Sequence, residues 1–289
     1  MGTRLKFSAA TESLKRERCY KYKMPVFNED CISGMKKIQK DSVQIVLADP
    51  PYNIGKDFGN DSDRQTMDSY IKWSKVWIDE ALRILSPDGT LYIYGFPEIL
   101  AHIQVQCIKD QNRVRWLVWH YTNKTVPSSK FWQRSHESIL CIWKSGTRPH
   151  FNLDDVREPY TETFLNNAAG KKRVATKGRF SSGGTDTTYT ANEKGAMPRD
   201  VLKIPALAGG AGKKERVDHP TQKPMEICTR LLKAAKKDGA KVVIPFAGSG
   251  SECVAARDLG LEWTGFEINA EYIKLIEQRL HVEDPPANE

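Results

Sequence analysis

Two short segments, far apart in the chain, carry residue types that could do chemistry together. Asp49-Pro50-Pro51-Tyr52 ends an apolar run from Val43 to Ala48, and Phe246-Ala247-Gly248-Ser249-Gly250 ends a second one. A carboxylate, two prolines and an aromatic ring at a strand end suit chemistry on a flat exocyclic amine. The lone pair of such a nitrogen is delocalised into its ring, so it is a poor nucleophile while planar. The Asp49 carboxylate and the Pro50 carbonyl can each accept one amino hydrogen and draw the nitrogen towards tetrahedral geometry. Read without that chemistry, a double proline here is a rigid turn with Asp49 as its cap.

A Gly-rich turn between strand and helix lets backbone approach a ligand closely and presents free amide groups. Nineteen residues beyond Gly248 lies Glu267, at the end of the next expected strand. A carboxylate there can accept from both ribose hydroxyls of a nucleoside cofactor. The turn lacks one glycine of a full Gly-x-Gly-x-x-Gly, which favours a methyl donor, S-adenosylmethionine, over a dinucleotide.

The elements that must position these residues alternate between strand and helix. Pro25 to Ile38 gives a short strand, a turn at Asn28-Glu29-Asp30 and a helix, and Val43 to Ala48 reads as a buried parallel strand. A helix is expected from about Ser69 to Leu85, with Ile71, Val76, Trp77, Ala81, Leu82 and Ile84 on one face, stopped by Ser86-Pro87-Asp88-Gly89. Strand, helix and two β-prone runs follow at Thr90 to Tyr94, Glu98 to Lys109, Val114 to Tyr121 and Ser138 to Trp143. The pattern restarts with a helix at Pro224 to Lys237, a strand at Lys241 to Phe246, a helix at Glu252 to Leu259, a strand at Trp263 to Ile268 and a helix at Ala270 to Leu280. Such alternation predicts an α/β fold, a doubly wound and mostly parallel sheet, with its ligand site at the carboxyl ends of the strands.

Charge marks out the middle of the chain. The 289 residues hold 44 Lys and Arg against 36 Asp and Glu, a net charge of +8, with an isoelectric point near 9.1. Between Asn166 and Arg216 stand eleven Lys and Arg against four Asp and Glu, so that segment carries nearly the whole excess. It is also rich in Gly, Ser and Thr. One reading is a solvated loop; the other is a DNA-contacting region with Lys171, Lys172, Arg173, Lys177 and Arg179 on phosphates and Phe180 or Tyr189 placed to wedge or stack. Six cysteines are scattered without a Cys-x-x-Cys pair, which argues against a zinc site or a disulfide framework and predicts no metal. No run approaches a membrane span, and the first residues lack the apolar centre of a signal peptide, so a cytoplasmic protein is expected.

The run Asn28 to Cys31, then Asp49-Pro50-Pro51-Tyr52-Asn53-Ile54-Gly55, His219-Pro220-Thr221-Gln222-Lys223-Pro224, Phe246 to Gly250 and Gly265-Phe266-Glu267-Ile268 resembles the β-class DNA amino-methyltransferases. In that family the catalytic motif comes first, the target-recognition region lies in the middle and the cofactor motif comes last. The resemblance implies a Rossmann-like methyltransferase fold: a catalytic part over 25–150, a recognition region over 151–216 and a cofactor-binding part over 217–282. It implies that S-adenosylmethionine is held by Asp30 and Cys31 at its adenine, by Glu267 at its ribose, by His219, Thr221 and Lys223 towards its methionine carboxylate, and by Phe246, Ala247, Gly248, Ser249, Gly250 and Asp49 around it. Asp49, Pro50, Pro51 and Tyr52 would be catalytic, with Tyr52 stacked on a base flipped out of duplex DNA. Trp132 or Phe131, near His136-Glu137, would face that base, while Trp119 and Trp143 belong to the core.

Asp at the first motif position points to adenine N6, where Ser is commoner for cytosine N4. N4-cytosine methylation is the alternative within the family. A DNA-binding protein that has lost catalysis is the alternative from another class, and a protein-glutamine or RNA methyltransferase is weaker, because such relatives tend to carry Asn in place of Asp49. One departure stands out: where the family usually has an acidic residue two positions before Phe246, this chain has Ile244. The resemblance further implies double-stranded DNA as partner, a homodimer, a cognate restriction endonuclease in some relatives, and a prokaryotic, nucleoid-associated location.

Overall fold

The computed structural model describes residues 25–56, 58, 63–123, 128–144, 146, 148–174, 177–178, 182–184, 186–210 and 212–281. In chain order its elements are β1 (Val26–Asn28), α1 (Cys31–Lys36), β2 (Val43–Ala48), α2 (Met67–Ile84), β3 (Leu85–Gly95), α3 (Pro97–Cys107), β4 (Val114–His120) and β5 (His136–Trp143). Then follow α4 (Glu162–Asn167), β6 (Lys172–Val174), β7 (Asp186–Thr188), β8 (Val201–Lys203), α5 (Met225–Ala235), β9 (Lys241–Ile244), α6 (Ser251–Asp258), β10 (Glu262–Glu267) and α7 (Ala270–His281). Eight strands form one sheet in the order β1-β10-β9-β2-β3-β5-β4-β8. The run from β1 to β3 is parallel, and β5 is antiparallel to both β3 and β4.

The apolar run of β2 is explained by burial on both faces. Val43, Val46 and Ala48 pack with Met35, Tyr70, Trp77, Ile78 and Leu100 from α1, α2 and α3 on one side. Ile45 and Leu47 pack with Ile227, Leu231 and Leu232 of α5 and Ala255 and Ala256 of α6 on the other. Truncating a fully buried Leu47 to Ala is therefore expected to cost about 2–5 kcal/mol. Helices cover both faces, so the strand ends are where a ligand can reach the sheet.

Two details depart from the expected elements. Leu85 already pairs with Val43, after which the register shifts to Ile45 opposite Thr90, so Ser86 to Gly89 bulge out within β3 rather than ahead of it. A Cβ on Gly89 would stand 2.8 Å from the Gln44 carbonyl, which is why that bulge takes glycine. The sheet also gains β8, drawn from the basic middle segment and paired with β4. Its three residues are too few to show a period in sequence.

The rest of the middle segment is tied down at its base. Glu158 accepts from Arg199 at 2.9 Å and from Arg230 of α5 at 3.1 Å, and it bridges to Ala196. Above this, β6 and β7 form a two-stranded antiparallel ribbon. Tyr189, expected to wedge or stack, instead sets its ring edge against Phe164 at 5.2 Å, and Phe164 in turn stacks on Tyr160 at 4.8 Å.

Candidate active site

The parallel strands β1, β10, β9 and β2 deliver their carboxyl ends to one cavity. It is lined at β1 by Asp30 and Cys31, at β10 by Glu267 and Ile268, at β9 by Phe246 to Ser249, and at β2 by Asp49 to Tyr52, with His219, Thr221 and Glu252 closing it. Residues drawn from both ends of the sequence thus share one space, because β10 is inserted between β1 and β9.

The Gly-rich turn is built for close approach. Gly248 has φ +45, and a Cβ there would stand 3.1 Å from the His219 ring. Gly250 has φ +79 and lies against Ile276 rather than in the cavity wall, so its role is packing of α7. Glu267 braces the turn: one carboxylate oxygen accepts from the Gly248 amide at 2.8 Å and the other from the Asn269 amide at 2.8 Å. Burial raises its pKa, against the lowering effect of those amide donors. Asp30 caps α1, accepting from the Ser33 amide at 3.0 Å, and its carboxylate remains exposed at the cavity. Cys31 is buried beside it, and burial pushes its thiol up, so it offers an apolar wall and not a nucleophile.

The turn after β2 is gripped from several sides. Tyr70 donates to the Pro51 carbonyl at 2.7 Å. The fully buried Asp63 accepts from the amides of Ile54 at 3.1 Å and Lys56 at 2.7 Å, holding the chain where Asn53 takes φ 57. Asp49 accepts from Lys223 at 2.8 Å and from the Tyr52 hydroxyl at 2.9 Å. A carboxylate has about four lone-pair positions, so capacity remains for one more donor.

Lys223 departs from the expectation. Instead of reaching towards a cofactor carboxylate, its ammonium is buried against Asp49 and lies 3.7 Å from Glu137. Burial alone would lower its pKa, but Asp49, Glu137 and Glu252 together raise it, so it stays charged. Burial is likewise the largest influence on Asp49 and raises its carboxyl above the usual carboxylate range, with the Lys223 charge opposing. A buried carboxylate at hydrogen-bond distance from a permanent cation is an acceptor that needs no solvent.

Tyr52, expected to stack on an extruded base, lines the cavity with most of its ring covered. It is 6% exposed, its hydroxyl lies 2.9 Å from Asp49 and 3.0 Å from Glu137, and its ring meets Phe96 edge-on at 5.2 Å. A phenol has one proton, so Tyr52 serves one carboxylate at a time, and Tyr121 donates to the other oxygen of Glu137. Phe131 and Trp132, by contrast, are 79% and 88% exposed. Two residues on, Arg134 lies over the Phe96 ring at 4.3 Å and pairs with Glu98 at 2.6 Å, which fixes this segment beside the Asp49 turn. Trp119 is core as expected, donating to the Ile204 carbonyl at 2.9 Å.

His219 lines the cavity with its pKa lowered to about 4, by burial first and then by Lys223 and Arg279, so it is neutral at physiological pH. Thr221 lies beside it. Sequence reasoning missed Glu252 and the part of Glu137. Glu137 stood next to His136 in a segment recognised only as pocket wall, and Glu252 stood in a helix whose turn drew all the attention. Lys171, Lys172 and Lys177 are exposed, Arg173 lies in β6, and Arg179 and Phe180 lie outside the described residues. Lys171 also donates to the Asn166 carbonyl at 3.0 Å. Among the described residues there is no His, Cys, Asp and Glu cluster that could hold a metal ion, and no helix long and apolar enough to cross a membrane.

A doubly wound sheet with a cavity at its strand ends, a half-buried carboxylate and Gly-rich turn on one side and a carboxylate-Pro-Pro turn two strands from that carboxylate, is the arrangement in which α/β enzymes hold a ligand at the carboxyl ends of their strands. Over residues 43–278 the chain matches the DNA methylase family, and it belongs to that family of DNA amino-methyltransferases. It is 31% identical to the DNA adenine methyltransferase YhdJ of Escherichia coli strain K12, over 89% of this chain and 82% of that protein. Among solved structures it superposes on PvuII DNA methyltransferase, described as cytosine-N4-specific, with a TM-score of 0.64 at 14% identity, covering 90% of this chain and 86% of that one. It also superposes on M1.HpyAVI in complex with S-adenosylmethionine, with a TM-score of 0.56 at 17% identity over 89% of this chain and 98% of that one. At these identities the two superpositions show the shared fold.

Proposed function

We propose that this enzyme transfers a methyl group from S-adenosylmethionine to adenine N6 of a base flipped out of duplex DNA. The observation that carries the reading is the Asp49-Pro50-Pro51-Tyr52 turn opening onto the same cavity as Glu267 and the Gly248 turn, with Lys223 against Asp49. The cavity suits S-adenosylmethionine: Asp30 is open for its base, Glu267 and the Gly248 turn for its ribose, and Cys31, Phe246 and Ile268 supply apolar walls.

When bound, S-adenosylmethionine supplies an electrophilic methyl on a positively charged sulfur. The protein's part is positioning and polarisation. Asp49 accepts one hydrogen of the target amine through its remaining lone-pair capacity, and the Pro50 carbonyl accepts the other. Held so, the nitrogen would keep its lone pair free for the methyl that the bound cofactor would supply, and Asp49 would take the surplus proton. Lys223 opposes the effect of burial and favours the ionised form of Asp49, and Tyr52 fixes its orientation. Phe131 and Trp132 offer exposed ring faces for the extruded base or its neighbours, and the basic ribbon from Lys171 to Lys177 offers charge to phosphates.

Adenine is favoured over N4-cytosine by Asp at position 49 and by the relative named as an adenine enzyme. Duplex DNA is the partner, and the reading carries with it a nucleoid-bound location. A second copy of the chain and a cognate endonuclease are further partners that family membership suggests. The test is nucleoside mass spectrometry of DNA incubated with S-adenosylmethionine and either the wild-type protein or Asp49→Ala. N6-methyladenine from the wild type alone supports the reading; N4-methylcytosine would keep the mechanism and replace the base; no product on DNA of diverse sequence would overturn it.

A further inference from the structure

The transfer chemistry leaves Glu252, a buried acidic side chain of the cavity, without a role. Glu252, in the first turn of α6, is 3% exposed and lines the cavity beside Asp49, His219, Thr221 and Ser249. Its carboxylate accepts from the Cys228 thiol at 3.6 Å, a weak donor, and from its own amide. Among the described residues it has no ion pair. The nearby ammonium of Lys223 is bonded to Asp49, and the Arg279 guanidinium donates to the Ser249 carbonyl and, at 3.2 Å, to the Ser251 hydroxyl. One buried ammonium thus faces three acidic side chains, Asp49, Glu137 and Glu252. A buried carboxylate short of partners is costly unless it holds a proton or meets a cation.

Strand order says which part of a ligand would meet it. Across β1-β10-β9-β2 the cavity presents Asp30, then Glu267, then the Gly248 turn, then Asp49. With the base at β1 and the ribose at β10, the amino-acid end falls between β9 and β2, where Glu252 stands. This step rests on the S-adenosylmethionine reading above. We propose that Glu252 receives the positive charge at the amino-acid end of the cofactor, the α-ammonium or the neighbouring sulfonium. It also accounts for Ile244: that side chain is fully buried at the end of β9 and supplies no carboxylate, and the charge is delivered instead from the next helix.

The inference carries a pH signature. Burial, and then the charge of Asp49, push Glu252 up to about 7, so in the empty cavity it is partly protonated near neutrality. Binding a cation favours the ionised form, so binding expels a proton and affinity rises as pH is raised through about 7. The other groups facing Glu252 are Asp49 at β2, Lys223 before α5, Cys228 on α5, Cys253 on α6, Tyr94 on β3 and Arg279 on α7, with His219 in the same cavity; burial holds Cys253 neutral, and His219, lowered to about 4, is neutral through that range. Lys223 and Arg279 stay charged, and Cys228 and Tyr94 stay neutral because their pKa values are raised well above the usual ones. Asp49, itself raised, is the remaining group that could titrate, and a Glu252→Gln variant leaves it in place.

The test is calorimetric binding to the full chain with three ligands: S-adenosylmethionine, S-adenosylhomocysteine, which keeps the ammonium but has no sulfonium, and methylthioadenosine, which has neither. Glu252→Gln should weaken the first two by about tenfold and leave the third unchanged, with the rise in affinity through about pH 7 flattened, while Glu252→Asp should retain part of the affinity. A loss confined to S-adenosylmethionine would assign the charge to the sulfonium. Equal losses on all three ligands, or none, would overturn the inference, and methylthioadenosine serves as the check that the variant's cavity is folded. A wild-type protein that binds none of the three would overturn the cofactor reading itself.

Discussion

The Lys223 ammonium lies 2.8 Å from the carboxylate of Asp49, joining two positions 174 residues apart in sequence. The pair is buried, and Glu137 stands 3.7 Å away on the other side of the ammonium. Replacing Lys223 with Met should therefore leave uncompensated negative charge in the core of the site. The expected cost is about 3–5 kcal/mol in urea unfolding, together with a marked fall in methyl transfer. A variant as stable and as active as the wild type would show that the pair supports neither.

Gly250→Ala tests the packing behind the turn. The residue sits at φ +79, and an added Cβ would stand 2.9 Å from Ile276, which is fully buried. The left-handed backbone alone should cost about 1–2 kcal/mol for a residue with a side chain, with the clash in addition. Thermal unfolding reads the effect directly, and an unchanged midpoint would mean that α7 shifts freely.

A third prediction concerns acid. His219 has its pKa lowered to about 4 from 6.5, chiefly by burial. Between those values the unfolded chain binds more protons than the folded one, so this group's contribution to stability is complete above about pH 6.5 and is lost as pH falls towards about 4. Urea unfolding at stepped pH should show a steeper decline in that window for the wild type than for His219→Gln. Parallel curves would place His219 in a more solvated setting than its cavity position implies.

Duplex binding tests the basic ribbon. Changing Lys171, Lys172 and Arg173 together to Ala should weaken binding and make the dependence of log affinity on log salt shallower by about 2–3. Fluorescence anisotropy across a salt series measures both. Unchanged affinity and slope would remove this segment from the DNA interface.

The sheet was largely legible in the sequence because its central strands are buried on both faces, and long apolar runs between amphipathic helices admit few other readings. β8 escaped because three residues have no visible period, and its place is set by β4, not by its own composition. The candidate site was legible at strand ends, where Asp49, the Gly248 turn and Glu267 reach one cavity. Lys223 and Tyr52 were located, but their carboxylate partners were not. Their side chains are long, and Glu137, which both approach, comes from β5, far along the chain from either. Glu252 was hidden for a different reason: a glutamate in a first helical turn is ordinarily a favourable surface charge, and only packing against α5 takes it out of water.

The place of β10 has a consequence for how the enzyme comes into being. Among the described residues β1 pairs with β10 alone, from Val26 opposite Gly265 to Asn28 opposite Glu267. A chain emerging from the ribosome therefore holds its first strand without a neighbour until Glu267 has been synthesised, and closing so long a loop is slow. Until then Asp30 and the Gly248 turn belong to separate pieces, so the cavity is absent from a chain that stops before Glu267. Cofactor capture would thereby report that synthesis has passed β10, and a chain stopped before it would carry its basic ribbon without the means to mark DNA.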